Sequence, residues 1–393
     1  MKILYFGNLC DDLLFNEILF VSKSTGLKAQ QLFEKGLCNG LESQGISVSH
    51  ISFLHNKSFS KKQLGAILKK YGTKKFTYIN NNVNSVCKAF EVFLKSLWIV
   101  VKWGRGEEKI ILSCNNYMPL NISIWIGKKI TRIKSVVYIN DNYCVDKNVG
   151  KYSFKSTVKS LMAKTYRCFD AYIFVTNKMN LSLNVNNKMF LVVDGILNDS
   201  DLKQTPLSVE KENAICYVGS IQELYGVKNL IKSFMRIDDS SLQLWLFGDN
   251  LIGEYLNESC IKDNRIRYFG FLERSTVFEY ICKAKFVVNF RNPDDEYTKL
   301  SFPSKTFEFL YSKTPMISTR LECYTEEYEN IIFWIKDNTI ETIEDSLKQL
   351  LKLQDDKLAQ VGEKAKTFVI DTRNQDAVAI KVINFLQKVV VDK

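Results

Sequence analysis

Short apolar runs, most of them closed by Gly, Asn, Asp or Pro, recur along the chain. Such runs mark strands buried on both faces of a parallel sheet. In the first half they are Lys2–Phe6 (KILYF), Ile46–Ile51, Lys109–Ser113 (KIILS), Ser135–Ile139 (SVVYI), Ala171–Thr176 (AYIFVT) and Met189–Val193 (MFLVV). In the second half they are Ala214–Val218 (AICYV), Ser241–Phe247 (SLQLWLF), Ile266–Phe269, Ala284–Phe290 (AKFVVNF) and Met316–Thr319. Between them the period changes to that of helices. Leu32, Phe33, Leu37 and Leu41 share a face within Lys28–Gln44, and Phe90, Phe93, Leu94, Leu97, Trp98 and Val101 share one within Lys88–Lys109. Asn338 onward and Ala377–Val391 are also helical in pattern. Alternating strands and helices predict an α/β chain, and its 393 residues suggest two or three domains. The polar stretch Leu197–Val209 has no apolar period and reads as the linker. It separates a first domain, residues 1–196, from a second, residues 210–375, and residues 376–393 form a final helix.

The richest chemistry lies in Phe290–Thr319, FRNPDDEYTKLSFPSKTFEFLYSKTPMIST. A polar loop carrying Arg291 leads to Ser301 and Pro303, which predict a helix start, with the helix reaching Ser312. Ser304, Lys305 and Glu308 then share roughly one face. A lysine in the first turn faces the positive helix end, which is unfavourable by about 0.3–1 kcal/mol, and a bound anion reverses that sign. Glu308, one turn on, is placed to accept hydrogen bonds from the hydroxyls of a sugar carried by such an anion. A solvated surface pair would give the same local pattern.

Gly219 and Gly226 bracket the exit of the Ala214–Val218 strand and leave room for a phosphate to approach backbone N–H groups. In the first domain, Ser24, Thr25 and Gly26 lie in a loop between the first strand and a helix, where α/β folds bind ligands. Asp141 follows the Ser135–Ile139 strand, flanked by Asn140 and Asn142, either as a contact for a reacting hydroxyl or as a turn former.

Composition excludes several classes. Only His50 and His55 are present, which argues against a histidine triad or a histidine metal site. Ten cysteines without a C-x-x-C spacing read as reduced thiols of a cytosolic chain. The N-terminus enters a strand pattern directly rather than a signal peptide. Asp199-Ser200-Asp201 is a literal D-x-D, but it lies in the linker away from any strand end, so no metal is assigned to it. The net charge of +11 is uneven: residues up to 200 hold 28 Lys+Arg against 13 Asp+Glu, and the remainder 26 against 30. Seven lysines fall between Lys57 and Lys75. With the basic, aromatic helix beyond them they predict an anionic membrane surface as partner, although that helix face also suits packing on the sheet. Lysines dominate and no arginine-rich stripe appears, so nucleic acid is not expected.

The segment F-P-S-K-x-x-E-F-L-x-x-x-x-P-M-I-S, Phe302–Ser318, resembles the nucleotide-sugar motif of the GT-B glycosyltransferases, specifically the family 4-like (group 1) enzymes of polysaccharide assembly. There the second glutamate of an E-x7-E pattern holds the donor ribose, and Glu308 matches it. The first glutamate would fall at Leu300 and is absent. Arg291, before Asn292-Pro293, resembles an N-P-R element with its order shuffled. Gly219–Gly226 resembles G-R-L-x-x-x-K-G, with Ser220 replacing the arginine and Tyr225 the lysine. The resemblance implies a donor site of Gly219, Ser220, Tyr225, Gly226, Phe271, Leu272, Arg291, Ser304, Lys305 and Glu308. It implies an acceptor site of Ser24, Thr25, Gly26 and Asp141, with Asp141, Lys305 and Glu308 nearest the chemistry. It further implies a GT-B fold of two Rossmann-like domains facing a cleft, a final helix returning to the first domain, and metal-free retaining transfer. The donor would be a UDP- or GDP-sugar and the acceptor a glycan or lipid-diphosphate-linked sugar at the inner membrane face. The lost arginine and lysine leave an alternative open, a GT-B protein without transferase activity, such as an epimerase or inactive partner.

Overall fold

The computed structural model describes residues 1–22, 26–54, 60–79, 84–104, 108–114, 117–140, 164–185, 187–197 and 209–391. Ser24, Thr25, Asp141 and His55 fall outside them, as does most of the expected linker. The chain divides into two compact units, Met1–Ile196 with Gln375–Lys393, and Leu197–Asn374.

The first unit is built on an all-parallel sheet of β1 (Lys2–Gly7), β2 (Ser47–Ser52), β3 (Phe76–Tyr78), β4 (Lys109–Ser113), β5 (Lys134–Ile139), β6 (Ala171–Phe174) and β7 (Phe190–Val192). Their order is β3-β2-β1-β4-β5-β6-β7. The strand order therefore reverses between β1 and β4, and the loops leaving those strands diverge there. The buried runs Ile3–Phe6, Ile110–Leu112 and Val136–Ile139 explain the unbroken apolar patterns.

The second unit repeats the plan with β8 (Glu212–Val218), β9 (Gln243–Phe247), β10 (Ile266–Gly270), β11 (Ala284–Asn289), β12 (Met316–Thr319) and β13 (Ile332–Ile335). The order is β10-β9-β8-β11-β12-β13, all parallel, with the reversal between β8 and β11. Trp245, Phe247, Phe278 and Tyr328 fill one side of this sheet, and Phe234, Phe286 and Phe290 the other. The helix Gln375–Val391 belongs to the first unit, where it packs on helix Gly26–Ser43. Ser43 Oγ donates to Asp376 Oδ1 at 2.5 Å across that contact.

Several elements escaped the sequence pattern. Helix Asp12–Ser22 follows β1, because Leu14 and Ile18 are buried while Leu13 and Phe20 are exposed, which blurs the period. Strands β3 and β13 are not among the predicted runs. Helices Met118–Thr131, Glu254–Lys262 and Arg274–Lys283 also lie outside the predicted helical segments.

Helix Ser85–Trp103 turns a different face inward from the one its spacing suggested. Lys88, Val92, Ser96 and Val100 are buried, whereas Val86, Phe90, Leu94 and Trp98 are 78%, 64%, 46% and 62% exposed.

Candidate active site

The expected helix over Ser301–Ser312 is shorter and later, Thr306–Tyr311, with Lys305 at its N-cap. A separate turn of helix, Glu296–Lys299, occupies the loop before it. Ser301 therefore does not cap the later helix; its hydroxyl donates back to the Tyr297 carbonyl at 2.8 Å. Phe302 explains the break. It stacks on Phe307 (centroids 5.2 Å apart) and meets Tyr324 and Tyr328, so its burial draws the chain out of helical geometry. A six-residue helix carries a small macrodipole, so charge at this site rests on side chains.

Glu308 is the centre of those charges. Arg274 Nε donates to its Oε1 at 3.1 Å and Lys305 Nζ to its Oε2 at 3.0 Å. The Glu308 and Arg274 side chains are 13% and 12% exposed, and that of Lys305 38%. Lys305 and Glu308 come together as their three-residue spacing predicts, while Ser304 is exposed in the preceding turn, outside the cluster. Arg274, at the first position of helix Arg274–Lys283 beyond β10, was missed. No periodicity links it to Glu308, 34 residues on; the only signal was its place just after the strand-then-glycine exit at Gly270.

Arg291 leaves the end of β11 and lies over the Tyr225 ring, 4.3 Å from its centroid. Among the described residues no carboxylate comes within ion-pair distance of it. Its Nε is buried without a hydrogen-bond partner. Tyr225, at the position where the resemblance expects a lysine, thus presents a ring that carries an arginine. Tyr297, whose ring centroid is 6.0 Å from that of Tyr225, donates its hydroxyl to the Leu224 carbonyl at 3.0 Å. Burial pushes the Tyr217 and Tyr297 phenols above their usual range against the opposing pull of Arg291, so both stay neutral at pH 7.

The glycine loop meets this arginine from the other side of the switch point. Gly226 has φ +75°, ends the turn Glu223–Tyr225 and opens helix Val227–Met235. A Cβ on it would lie 2.0 Å from the Phe290 carbonyl oxygen, so the loops leaving β8 and β11 touch. Gly219 N–H donates to the Phe247 carbonyl at 3.0 Å, and half-buried Ser220 accepts from the Tyr217 hydroxyl at 2.8 Å through its carbonyl. Lys228 is turned to Glu223, 2.7 Å away, and leaves the positive charge of this loop to Arg291. Phe271 is 68% exposed beyond β10, and Leu272 packs partly into the core. The exits of β8, β10 and β11 thus supply the expected donor residues from one end of the parallel sheet. On the acceptor side, only the main chain of Gly26 is described, as the first residue of helix Gly26–Ser43.

Comparison with known proteins agrees with this fold. Residues 198–387 match the family described as Glycosyl transferases group 1. A glycosyltransferase from Rickettsia africae is similar in structure at TM-score 0.65 and 14% identity, covering 100% of this chain and 99% of its own. HepE of Anabaena, solved in complex with UDP, matches at TM-score 0.64 and 12% identity over 99% and 100% of the two chains. The lipopolysaccharide outer core galactosyltransferase WaaB gives 0.61 and 13% over 99% of each. Among curated proteins no relative matches in sequence. Residues 198–387 thus carry a domain of the glycosyl transferases group 1 family, and two parallel Rossmann-like sheets with a final helix returned to the first unit give the chain the GT-B fold.

Proposed function

We propose that the chain transfers a sugar, with retention of configuration, from a UDP- or GDP-sugar to a glycan or lipid-diphosphate-linked acceptor in cell-surface polysaccharide assembly. The observation that carries this reading is Arg291. It is a guanidinium without a carboxylate partner among the described residues, stacked on Tyr225 where the exits of β8 and β11 meet. A forked cation at a switch point suits a diphosphate. Lys305 adds a second charge, Glu308 offers a carboxylate to ribose hydroxyls, and Phe271 offers an exposed ring to the base. HepE has been solved with UDP and with UDP-glucose, which makes UDP the first ligand to try.

In the reaction the anomeric carbon loses its bond to the donor phosphate and gains one to the acceptor hydroxyl on the same face. The departing phosphate oxygen takes the acceptor's proton, so no histidine base is needed. Arg291 and Lys305 would stabilise the negative charge gathering on that phosphate without a metal. Activity unaffected by a chelator is the expected result. Asp141 would contact the acceptor, and Asp141→Asn should cut transfer while leaving nucleotide affinity intact.

The first unit would rest on the inner membrane face. Support comes from the exposed ridge Phe90, Leu94 and Trp98, with Lys102 over the Trp98 ring at 4.7 Å and Lys129 over Trp125 at 4.3 Å. No helix among the described residues is long and apolar enough to cross a membrane.

The test is a thermal-shift panel of UDP, GDP, CMP and ADP and their sugars. The matching nucleotide at 100 times its Kd should add about 2.7 kcal/mol of stability. No response to any of them would overturn the reading.

A further inference from the structure

The first sheet carries a buried carboxylate beneath its own switch point. Glu34, fully buried in the middle of helix Gly26–Ser43, is 0% exposed. Its Oε2 accepts from the Tyr5 hydroxyl at 3.0 Å, the Asn8 N–H at 2.8 Å and the Leu9 N–H at 3.1 Å. Its Oε1 accepts from Gln30 Nε2 at 2.9 Å, and that nitrogen also reaches the Cys114 carbonyl at 3.4 Å. Glu34 therefore holds the loop leaving β1, and through Gln30 it is linked to the end of β4. The fit is close: a Cβ on Gly7 would lie 2.1 Å from Glu34 Oε2.

The surroundings hold donors and no cation within ion-pair distance among the described residues. Facing Glu34 are Tyr5 of β1, Cys10 of the exit loop, Cys38 of its own helix and Cys114 beyond β4. Asp11 and Asp12 lie beyond Cys10, and Lys35 is paired with Asp12 at 2.7 Å. Glu42, further along the helix, is taken by His50 of β2 at 2.7 Å and Lys75 at 2.9 Å. Burial pushes the Cys10 thiol up to about 12 and holds Tyr5, Cys38 and Cys114 well above their ordinary values, so all stay neutral near pH 7. Burial also lifts Glu34 to about 7 against the opposing hydrogen bonds. Protonation would replace an acceptor by an O–H that needs one. Tyr5 turns its hydroxyl to accept it, Gln30 turns its carbonyl to it and releases Cys114, or Oε2 gives up an amide; in each case the Asn8 and Leu9 amides lose a charged acceptor.

We propose that Glu34 is a positioning residue for transfer, holding the β1 exit loop at Asn8 and Leu9 in the shape that receives the acceptor and loosening it on protonation. The role rests on assigning the acceptor to the first unit, as proposed above.

The test uses the full chain and its Glu34→Gln and Glu34→Ala variants. Hydrogen exchange of the Asn8 and Leu9 amides, corrected for intrinsic rates, is followed from about pH 8 to about pH 6, on either side of the Glu34 midpoint. KM and kcat are measured for transfer from UDP-glucose to a short-chain alkyl-diphosphate-linked N-acetylhexosamine, with UDP affinity alongside. In the wild type, protection should fall about tenfold as pH drops, the worth of one lost charge-assisted hydrogen bond. Acceptor KM should rise with the same midpoint while UDP affinity holds. Glu34→Gln keeps an acceptor oxygen but cannot titrate, so its protection and KM should be flat with pH. Glu34→Ala should leave both amides unprotected throughout.

A Gln variant that keeps the wild-type pH dependence overturns the proposal, as does an Ala variant that keeps wild-type protection. So does an acceptor KM that ignores a loop shown to loosen. If the Ala variant does not fold, the Gln variant decides. If the probe accepts no sugar, the exchange of Asn8 and Leu9 decides. Failure of UDP to bind the wild type overturns the donor reading instead, which the exchange data judge separately.

Discussion

A residue's role in this site follows from which partner holds it. Glu308 is gripped by Arg274 and Lys305, so it enters any complex already oriented. Lys305→Ala removes a charge-assisted contact to a diphosphate, costing about 1.5–3 kcal/mol, or one to two decades in affinity. The loss should deepen in kcat, because the leaving phosphate gains charge in the transition state. Glu308→Gln should weaken nucleoside and nucleoside diphosphate alike, by a similar or smaller step. Calorimetric titration of uridine and UDP separates the roles, since the nucleoside should feel Glu308 and hardly Lys305. If neither substitution changes either affinity, the cluster is a surface ion-pair network and the donor assignment fails. Arg274 adds a control. Arg274→Met leaves Glu308 nearly buried with one partner fewer, and it should lower uridine affinity without touching the diphosphate contacts.

At the level of elements, two local arrangements carry testable consequences. The turn ending at Gly226 works only because that residue has no Cβ: at φ +75° an L side chain costs about 1–2 kcal/mol in backbone strain. The clash with the Phe290 carbonyl comes on top of that. Gly226→Ala should therefore lower the urea midpoint and weaken UDP binding together, because relieving the clash separates the exits of β8 and β11. Unchanged UDP affinity would disconnect this contact from the donor site. Helix Ser85–Trp103 makes the second case. Its ridge of Phe90, Leu94 and Trp98 has no cover among the described residues, and Lys62, Lys69 and Lys70 stand exposed on helix Lys61–Tyr71. Sedimentation with anionic vesicles should fall steeply with salt, since exposed charges are screened within about 10 Å at 0.1 M. Trp98→Glu should weaken it at every salt concentration. Equal binding to neutral vesicles would remove the role given to the lysines.

Across the whole molecule, the buried Glu34 makes stability depend on pH in an unusual direction. Its folded value of about 7 stands above the ordinary 4.5, so the folded chain holds this proton more tightly than the unfolded chain does. Its contribution is fully present below about pH 4.5 and is lost as pH rises through about 7, a change of about 3 kcal/mol. Urea unfolding of the wild type minus Glu34→Gln should show that decline between about pH 4.5 and about pH 8. A flat difference would mean that Glu34 does not titrate in this range. The ionised form prevails above neutrality, where the Asn8 and Leu9 amides still compensate part of its burial.

What the sequence determined by itself was the architecture. Strands buried on both faces must be apolar throughout, so runs such as SVVYI and AKFVVNF were legible without any neighbour, and their alternation with helical periods implied two parallel sheets. The Lys305–Glu308 contact was legible too, because three residues on a helix span one turn. The tertiary structure alone decided the contacts that cross the chain. Arg274 reaches Glu308 across 34 residues, and Arg291 lies on Tyr225 from another strand exit. Glu34 looked like one more polar position on an amphipathic helix until β1 and its exit loop closed over it. The aromatic face of Ser85–Trp103 suited either a membrane surface or packing on the sheet by its period; the fold buried Val92, Ser96 and Val100 and left Phe90, Leu94 and Trp98 exposed. A period says which residues share a face, but burial, charge and hydrogen bonding are settled by whichever neighbour covers that face, and the neighbour is a property of the folded chain.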